Sequence, residues 1–570
     1  IVDEFDDAIK AGEFKMYLQP QISAKTRRLT GAEALVRRIK PDGTIISPID
    51  FIPVYEKSGL ISRLDRYIWE QAAAKLGEWK KAGINMSISV NISPKDFYYI
   101  DIFNTFAGLI KKYDIEPSNL KIEIPSGANE IIHSLQNNGY EAFLVGGCVR
   151  DSILGRPIHD YDITTSATPD EMMEVFKDKR IIETGLQHGT ITIVIDGDGY
   201  ECTTYRIDGN YSDSRRPDSV TFTRSLKEDL KRRDFTINAM AYNDEVGLVD
   251  PFNGMEDIKY HKIRCVGRAE DRFSEDALRI LRAIRFASQL GFVLEPDTDW
   301  NISKMYKNLE NISIERINSE FCKIAASSDF CVQMVLYHEV FSLFIPEIKD
   351  MLGFQQNNPY HMYDVWNHTV HAIEYCESDD LVTRLAVFFH DIGKPHCYQD
   401  GEDGIRHFKG HGRVSADMTN EIMKRLRFDN DTREKVVELV YYHDATFEVG
   451  KKYIKRWLNK IGEEQFRRLL NVRRADIKAQ ADINQETRLQ KIDNIEYILE
   501  EVLQDDECFS LKDLAVNGKD VMDTMLIKSG KEVGYWLNEI LTRVIDGRLK
   551  NDREDLIYWM TGITDGWIEY

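Results

Sequence analysis

Apolar and polar positions follow two different rhythms along the chain. In roughly its first fifth, short apolar runs such as residues 14–18 and 86–90 alternate with helical-period stretches such as residues 67–82. A second region of the same kind covers residues 131–266. This alternation is typical of sheets built from βα units, with parallel strands. From Ser274 onward almost every segment has helical periodicity, so we predict α/β architecture followed by an all-α region.

The composition is that of a folded protein rather than a disordered or membrane-spanning one. Of the 570 residues, 42% are hydrophobic and 30% are charged. No apolar run reaches the ~18 residues that span a bilayer. The eight cysteines include no CxxC pair and no tight cluster, which argues against a disulfide scaffold, a zinc ribbon or an iron–sulfur site. We therefore expect a cytoplasmic protein with no membrane partner. Because residue 1 is Ile, we also expect the chain to begin within a longer reading frame.

The net charge of −21 does not exclude a nucleic-acid partner, because phosphate binding depends on local patches. Residues 451–475 contain nine basic residues and two acidic ones, and residues 224–233 contain five and two. The first of these stretches lies in the helical half of the chain. It is predicted either to follow a nucleic-acid backbone or to form an ordinary solvated basic face.

Four short motifs mark the first α/β region: YLQP (17–20), EALVR (33–37), SVNIS (89–93) and KIEI (121–124). In order and spacing they resemble the opening half of an EAL domain, a family of cyclic di-GMP phosphodiesterases built on a TIM-type barrel. The resemblance implies metal-binding oxygens at the strand ends from Glu33, Asn91 and Glu123. It also implies that Gln19 and Arg37 contact the dinucleotide.

The EAL pattern stops after Glu123. Pro125 and Ser126 stand where the family continues with Thr-Glu, and the later paired aspartates, the catalytic lysine and the last strands are absent. We therefore predict a partial TIM-type barrel that is catalytically inactive. A cyclic di-GMP-binding protein is the non-enzymatic alternative for the whole chain.

The second α/β region contains a motif suited to phosphoryl transfer. An apolar strand from Phe143 leads into paired glycines, whose backbone N–H groups can approach phosphate closely. Asp160 and Asp162 alternate with Tyr161, so in an extended segment both carboxylates point the same way. Such a pair repels itself unless cations lie between the carboxylates, as in a two-metal centre. Glu201 in the strand-like YECTTYR is a candidate third carboxylate.

Three further motifs follow: KRRDFTINA (231–239), DPFNG (250–254) and SEDALRILRAIRFA (274–287). The first precedes a predicted helix, and the second is predicted to form a turn. The third is predicted to be one helix with Ile280, Leu281 and Ile284 facing the core. On such a helix, Asp276 and Arg279 share a face, either as a salt bridge or as a pair presented to a base edge.

Together these motifs resemble the class II tRNA nucleotidyltransferases, which add CCA to tRNA 3′ ends and are close relatives of bacterial poly(A) polymerases. The resemblance implies that Asp160 and Asp162 bind catalytic Mg²⁺, with tRNA, CTP and ATP as partners. It implies nucleotide-binding roles for Gly146, Gly147, Arg150, Arg233, Asp234, Glu275, Asp276, Arg279 and Arg282. An Asp acceptor and an Arg donor complement the edges of both cytosine and adenine, and mispair with guanine and uracil.

Two related activities remain open at this stage. CC-adding enzymes lack a flexible segment after the third-carboxylate strand, whereas residues 206–220 (RIDGNYSDSRRPDSV) resemble the form found in enzymes that also add A. Poly(A) polymerase remains an alternative because the head motifs are shared.

The helical half contains His368, then HDIGK (390–394), then His443 and Asp444. This pattern resembles the HD phosphohydrolases, in which imidazoles and carboxylates on neighbouring helices bind a divalent metal. The resemblance implies as metal candidates His368, His390, Asp391 and Asp444. His411 is a candidate ligand of a second metal, and Lys394 of a phosphate. An active site for a 2′,3′-cyclic phosphate at a damaged tRNA end and an inert scaffold both remain possible. A chain dominated by HD hydrolysis is the second enzymatic alternative.

The predicted organisation is therefore α/β followed by all-α. It comprises a truncated EAL-like domain (1–125), a polymerase-β-like nucleotidyltransferase head (126–265), a helical neck (266–350), an HD domain (351–450) and a helical, tRNA-binding tail (451–570). The predicted function is template-independent CCA addition. The sequence gives no oligomeric state.

Overall fold

The computed structural model describes residues 4–22, 29–84, 86–91, 102–116, 119–122, 126–158, 160–209, 219–504 and 510–568. The chain forms two compact units. The first comprises Ile1–Asp276 and Leu294–Asn301, and the second comprises Ala277–Val293 and Ile302–Tyr570. Among the described residues, no helix combines the length and the apolar character needed to cross a bilayer.

The first unit begins with an open five-stranded sheet of order β1-β2-β4-β5, with β3 paired to β2. The strands are β1 (Phe14–Ile22), β2 (Leu29–Ile39), β3 (Ile45–Ile46), β4 (Ser87–Val90) and β5 (Leu120–Ile122). The helices are α1 (Phe5–Lys10), α2 (Pro48–Ser58), α3 (Ile61–Lys81) and α4 (Ile102–Tyr113). Trp69 of α3 packs among the apolar side chains of the sheet, including Ile88 and Val90.

This sheet differs from a TIM-type barrel, whose strands are all parallel, in its first pair of strands. β1 and β2 pair antiparallel, because a connection of only six residues can join antiparallel strands but not a parallel pair. The pairs β2–β4 and β4–β5 are parallel, as the sequence rhythm predicts. The described strands form an open sheet, and no barrel closure is found among them.

The second sheet of this unit has seven strands in the order β14-β13-β6-β7-β10-β9-β8. Its strands are β6 (Ala142–Val145), β7 (Ile163–Thr165), β8 (Arg180–Gly185), β9 (Thr190–Ile195), β10 (Asp198–Thr204), β13 (Ala241–Asn243) and β14 (Gly247–Val249). Within this sheet, β7–β10 is parallel, and the other described pairs are antiparallel. A separate hairpin consists of β11 (Arg206–Asp208) and β12 (Val220–Phe222). Most of the segment that distinguishes CC- from CCA-adding enzymes, residues 210–218, lies outside the described residues.

The helices around this second sheet are α5 (Ser126–Asn137), α6 (Gly147–Leu154), α7 (Pro169–Val175), α8 (Leu226–Lys231), α9 (Gly254–Lys259) and α10 (Ala269–Glu275). α5 lies so close to β10 that a Cβ on Gly127 would meet the ring of Tyr200 at 2.7 Å. The predicted DPFNG turn is confirmed, since the Asp250 carboxylate accepts hydrogen bonds from the N–H groups of Gly254 and Met255. The helix predicted after KRRDF is a single 3₁₀ turn, Thr236–Asn238.

The helix predicted over residues 274–287 is instead two helices. α10 ends at Glu275, and α11 (Leu278–Leu290) begins after Asp276, which is extended with φ −140° and ψ 104°. Aspartate disfavours helix interiors because its side chain competes for backbone hydrogen bonds, which accounts for the break falling here. The boundary between the two units also falls between residues 276 and 277. The core side predicted for α11 is confirmed, because Ile280, Leu281 and Ile284 are fully buried.

The second unit is almost entirely helical after α11, and residues 296–305 form α12 across the unit boundary. Its helices are α13 (Ile314–Ala325), α14 (Phe330–Leu336), α15 (His338–Phe341), α16 (Ile348–Met351), α17 (Val365–Glu374), α18 (Leu381–Phe389), α19 (His411–Arg425), α20 (Asn430–Tyr442), α21 (Lys451–Lys478), α22 (Gln485–Gln504), α23 (Gly518–Met525), α24 (Lys531–Ile545) and α25 (Arg553–Thr564). The short strands β15 (Gln399–Asp400) and β16 (Arg406–His407) form a hairpin. α21 is broken at Gly462, whose φ is +79°.

Candidate functional site

The three carboxylates predicted for the head converge at neighbouring strands. Asp160 and Asp162 come directly before β7, and Glu201 lies in β10, which pairs with β7. Burial raises the pKa of Asp162, the Arg233 guanidinium lowers it, and the charges of Glu201 and Asp160 raise it further. The three acids therefore interact electrostatically, and all three residues are exposed at the surface. A divalent cation among them would relieve this repulsion, so the donor set fits Mg²⁺.

The paired glycines bring the chain against the same group of side chains. Gly146 has φ +82° and ψ −128°, a conformation that is essentially restricted to glycine, and α6 begins at Gly147. A Cβ on Gly146 would lie 3.2 Å from Arg233 Nη1 and 4.0 Å from Asp162 Oδ2. The first N–H groups of a helix have no partner within the helix and favour anions. The turn thus places a helix N-terminus, a guanidinium and a carboxylate side by side.

Two predicted nucleotide-binding residues belong to one buried hydrogen-bond network. Arg150 donates from Nη1 to Asn238 Oδ1 at 2.7 Å, and from Nε and Nη2 to both Asp151 oxygens. Asn238 in turn donates to Asp234 Oδ1 at 3.2 Å. Asp234 also accepts from the N–H of Phe235 at 2.8 Å. The network fixes Arg150 and Asp234 relative to each other.

Asp229 is a residue of this site that the sequence analysis missed. Its fully buried carboxylate contacts Arg232 at 2.7 Å and Arg233 at 3.4 Å, and accepts a hydrogen bond from Thr164 at 3.1 Å. Burial alone would raise the pKa of Asp229, but the two arginines outweigh it and hold the pKa below its usual value. The sequence did contain a signal for this contact, since Asp229 precedes the paired arginines by three and four positions, the spacing at which side chains meet on a helix. Asp229 orients the Arg233 side chain.

The predicted base-selecting residues do not share one helix. Asp276 lies in the break between α10 and α11, whereas Arg279 lies within α11 and is 9% exposed. Glu275, to which the resemblance gives a nucleotide-binding role, accepts a hydrogen bond from Arg272 on its own helix. The Arg282 guanidinium lies over the Phe286 ring, 5.5 Å from its centroid. The base-selecting roles of these residues remain predictions.

The second unit brings the predicted HD residues into one buried cluster. His368 Nε2 lies 3.2 Å from His390 Nε2 and 3.3 Å from Asp391 Oδ2. On the other side of Asp391, its Oδ1 lies 3.4 Å from His411 Nε2 and 3.6 Å from His443 Nε2. Asp391 is therefore shared by two groups of possible ligands, one with His368 and His390 and one with His411 and His443.

The ring orientations in this cluster favour metal binding. Each of the four histidines directs Nδ1 to a backbone carbonyl, at 2.6–3.3 Å. An Nδ1–H that donates to a carbonyl fixes the tautomer and leaves the Nε2 lone pair facing inward. His411 Nε2 and His443 Nε2 are only 3.0 Å apart, and two inward lone pairs at that distance need a cation or a proton between them.

The sequence analysis placed Asp444 in this cluster, but the structure places Asp476 there. Asp476 Oδ1 lies 3.2 Å from His368 Nε2 and 3.8 Å from His390 Nε2. The Asp444 side chain is 61% exposed, and its carboxylate lies 3.8 Å from His411 Nδ1. Because Asp476 belongs to α21, the cluster also extends beyond the predicted HD boundary at residue 450.

Protonation of the metal-free cluster follows from these contacts. Burial lowers the pKa of His368, but hydrogen bonds to Asp391 and Asp476 outweigh it and raise the pKa to about 9. Burial and the neighbouring His443 and Lys394 lower the pKa of His411 to about 4, against the charge of Asp391. Lys394 Nζ lies 2.7 Å from Asp391 Oδ2, so the predicted phosphate ligand is paired with the shared carboxylate.

Of the EAL-like residues, two of the three predicted metal ligands lie together. Asn91 Nδ2 donates to Glu33 Oε1 at 3.2 Å, and Gln19 is the register partner of Glu33 across β1 and β2. The Arg37 guanidinium donates to the carbonyl of Val36. Glu123 lies outside the described residues.

The basic stretch of α21 is largely neutralised within the second unit. Arg467 pairs with Glu500, Arg468 with Asp380, Arg474 with Asp493 and Glu496, Arg456 and Lys452 with Asp546, and Lys478 with Glu377. This pairing favours a structural role for most of these cations over contact with a tRNA backbone.

Comparison with known families supports two of the sequence resemblances, those to the EAL domain and to the tRNA nucleotidyltransferases. Residues 142–264 match the poly(A) polymerase head domain, residues 2–145 match the EAL domain, and residues 411–560 match a putative tRNA nucleotidyltransferase domain 2. The EAL match extends past the predicted boundary at residue 125, into β6.

Two curated relatives are CCA-adding enzymes. That of Lactobacillus delbrueckii subsp. bulgaricus is 51% identical over 213 residues, which cover 37% of this chain and 53% of the relative. That of Latilactobacillus sakei subsp. sakei is 55% identical over 194 residues, covering 34% and 48%. The chain thus spans about half the length of the curated relatives it matches.

Solved structures match over a longer region. The Bacillus stearothermophilus CCA-adding enzyme in complex with CTP is 29% identical with a TM-score of 0.57, covering 78% of this chain and 99% of that one. An apo form of a CCA-adding enzyme shares the fold at 20% identity and a TM-score of 0.51, covering 77% and 96%. In sequence and fold the chain is therefore similar to the CCA-adding enzymes, and its match to the poly(A) polymerase head domain follows a match to the EAL domain.

Proposed function

We propose that this protein adds nucleotides to the 3′ end of tRNA, completing CCA from CTP and ATP with release of pyrophosphate. The observation that carries the proposal is the group of three carboxylates, Asp160, Asp162 and Glu201, beside the Gly146 turn and Arg233. The similarity to CCA-adding enzymes supports it, as do the family matches of residues 142–264 and 411–560.

Each group has a part in this reaction. Asp160 and Asp162, with Glu201, would hold Mg²⁺, which activates the terminal ribose hydroxyl and neutralises charge on the triphosphate. Arg233, held by Asp229, and the N-terminus of α6 are placed to bind phosphate oxygens. The side chains therefore position the reactants and balance charge, and little proton transfer is required of them.

The test uses the full chain, Mg²⁺ and a tRNA transcript that lacks CCA. We expect three added nucleotides that require both CTP and ATP. Asp160→Ala should abolish addition, whereas Asp170→Ala, which removes an exposed carboxylate at the start of α7, should leave it unchanged. Addition of two C residues that is never followed by A would identify a CC-adding enzyme, and a long adenylate ladder would identify a poly(A) polymerase. No extension of any tRNA would contradict the proposal.

We further propose that the histidine cluster binds divalent metal and hydrolyses phosphoesters. The specific observation is that four Nε2 atoms and the carboxylates of Asp391 and Asp476 face one another with Nδ1 already engaged. Imidazole nitrogens with carboxylates suit Mn²⁺, Fe²⁺, Ni²⁺ or Zn²⁺.

Metal content and hydrolysis test this second activity separately. Purified protein should retain divalent metal after dialysis, as measured by elemental analysis, and His390→Gln should lose it. Release of product from adenosine 2′,3′-cyclic phosphate should follow the same dependence, with tRNA extension by the head unchanged. Retained metal without hydrolysis would leave the cluster a structural site.

A further inference from the structure

A cavity of about 270 Å³ lies beside the histidine cluster in the second unit. The loop after α20 forms one wall, including Asp444 and Phe447, and α21 and α22 form the other. A water molecule occupies about 30 Å³ in the liquid, so the cavity has room for several water molecules or for a phosphate group in their place.

The walls of the cavity carry an excess of positive charge. Arg473, Arg488 and Lys491 line it, against the single carboxylate of Asp444. Elsewhere on α21, cations such as Arg474 have carboxylate partners at 2.6 Å. Among the described residues, no carboxylate lies within ion-pair distance of Arg488 or Lys491.

Arg473 has an unmet hydrogen-bond donor, and its charge repels that of Arg488. Arg473 Nη1 lies 3.4 Å from Asp476 Oδ2, which is a long ion-pair contact, and the same carboxylate also contacts His368. The buried Nε of Arg473 has no hydrogen-bond partner among the described residues. Burial and the charge of Arg473 lower the pKa of Arg488, although Asp476 opposes this. An anion in the cavity would relieve both the repulsion and the unmet donor.

The Asp476 side chain links this cavity to the histidine cluster. Arg473 contacts Asp476, which contacts His368, and Asp444 on the opposite wall directly follows His443. We propose that Arg473, Arg488 and Lys491 form an oxyanion subsite that binds a phosphate group of the phosphoester hydrolysed at the histidine cluster. This inference rests on the second proposed activity. The guanidinium geometry of two arginines matches the oxygens of phosphate, and Lys491 adds a point charge.

Binding of inorganic phosphate tests the subsite without requiring hydrolysis. Isothermal titration calorimetry is done on the full chain in EDTA, so that no metal contributes to binding. We expect Arg488→Gln/Lys491→Gln to bind phosphate at least ten times more weakly than the unchanged protein. Arg473 is left in place because it contacts Asp476. Phosphate bound by the head is the same in both proteins and cancels in the comparison.

Lys519→Gln is the matched control, since it removes a lysine charge from α23, away from the lining residues. Phosphate affinity that is unchanged in the double variant would overturn the proposal, and so would an equal loss in Lys519→Gln. If the double variant does not fold, Lys491→Gln alone should still weaken binding, because this side chain is exposed. If the protein binds phosphate in EDTA but hydrolyses no phosphoester with metal, the anion site stands and the proposed hydrolase activity is refuted. With an active hydrolase, the double variant should raise KM more than it lowers kcat.

Discussion

Gly146→Ala is the substitution whose effect on the head follows most directly from the geometry. At φ +82° and ψ −128° the backbone is in a region that side chains avoid, which costs about 1–3 kcal/mol. The new Cβ would also lie 3.2 Å from Arg233 Nη1, the movable end of a side chain, so this contact adds little to stability but shifts the guanidinium. We expect the head to lose about 1–3 kcal/mol of folding stability. The rate of nucleotide addition should fall about tenfold for each 1.4 kcal/mol that the displaced guanidinium adds to the activation free energy.

The neighbouring glycine provides the control. Gly147 begins α6, and its nearest contact for a Cβ is Arg150 Nη2 at 3.7 Å, so Gly147→Ala should leave stability unchanged or raise it by about 0.4–1 kcal/mol. Hydrogen exchange of peptides covering residues 142–154 measures local stability in both variants, since a chain with two units need not unfold in one step. CTP incorporation measures function. Equal protection in Gly146→Ala and the unchanged protein would refute the assignment of this strained turn.

Three further outcomes are expected. Asp229→Asn should destabilise the head by about 3–5 kcal/mol, measured by urea unfolding, because it leaves Arg233 and its neighbour without their buried partner. Asp476→Asn should lower the affinity of the cluster for Mn²⁺ at least about tenfold, whereas Asp444→Asn should not, and the opposite order in calorimetry would restore the sequence-based assignment. Without metal, the raised pKa of His368 contributes stability that is complete below pH 6.5 and is lost as pH rises through about 9. The expected loss in the free energy of unfolding is about 3 kcal/mol, measured by thermal unfolding at a series of pH values. Bound metal should abolish this dependence of stability on pH.

The parts of the site that the sequence could predict are those fixed by short spacing. Asp160 and Asp162 follow the paired glycines closely, so local chain geometry alone brings them to the same strand end. The core side of α11 was also predictable, because helical periodicity depends only on neighbouring positions. The position of Glu201 beside them required strand pairing across the chain, and the YECTTYR pattern was enough to suggest it.

The errors came where tertiary structure overrides local pattern. A continuous helical period hid the break at Asp276, which coincides with the boundary between the two units. The HD resemblance implies Asp444 as a ligand, whereas Asp476 reaches the cluster from a later helix. A usable signal was present, since Asp476 continues the buried row formed by Leu469 and Val472 on α21.

The position of Asp476 also bears on the order in which this unit can fold. His368 Nδ1 contacts the carbonyl of Ala479, one turn beyond Asp476, across 111 residues of chain. Closing a loop of that length has an entropic cost, so the complete ligand set forms when α17 and the C-terminal end of α21 have packed together. A metal ion that needs this set binds the folded unit, and its binding free energy adds to the equilibrium stability of the fold. Metal retention would thus report whether the helical unit has folded to completion.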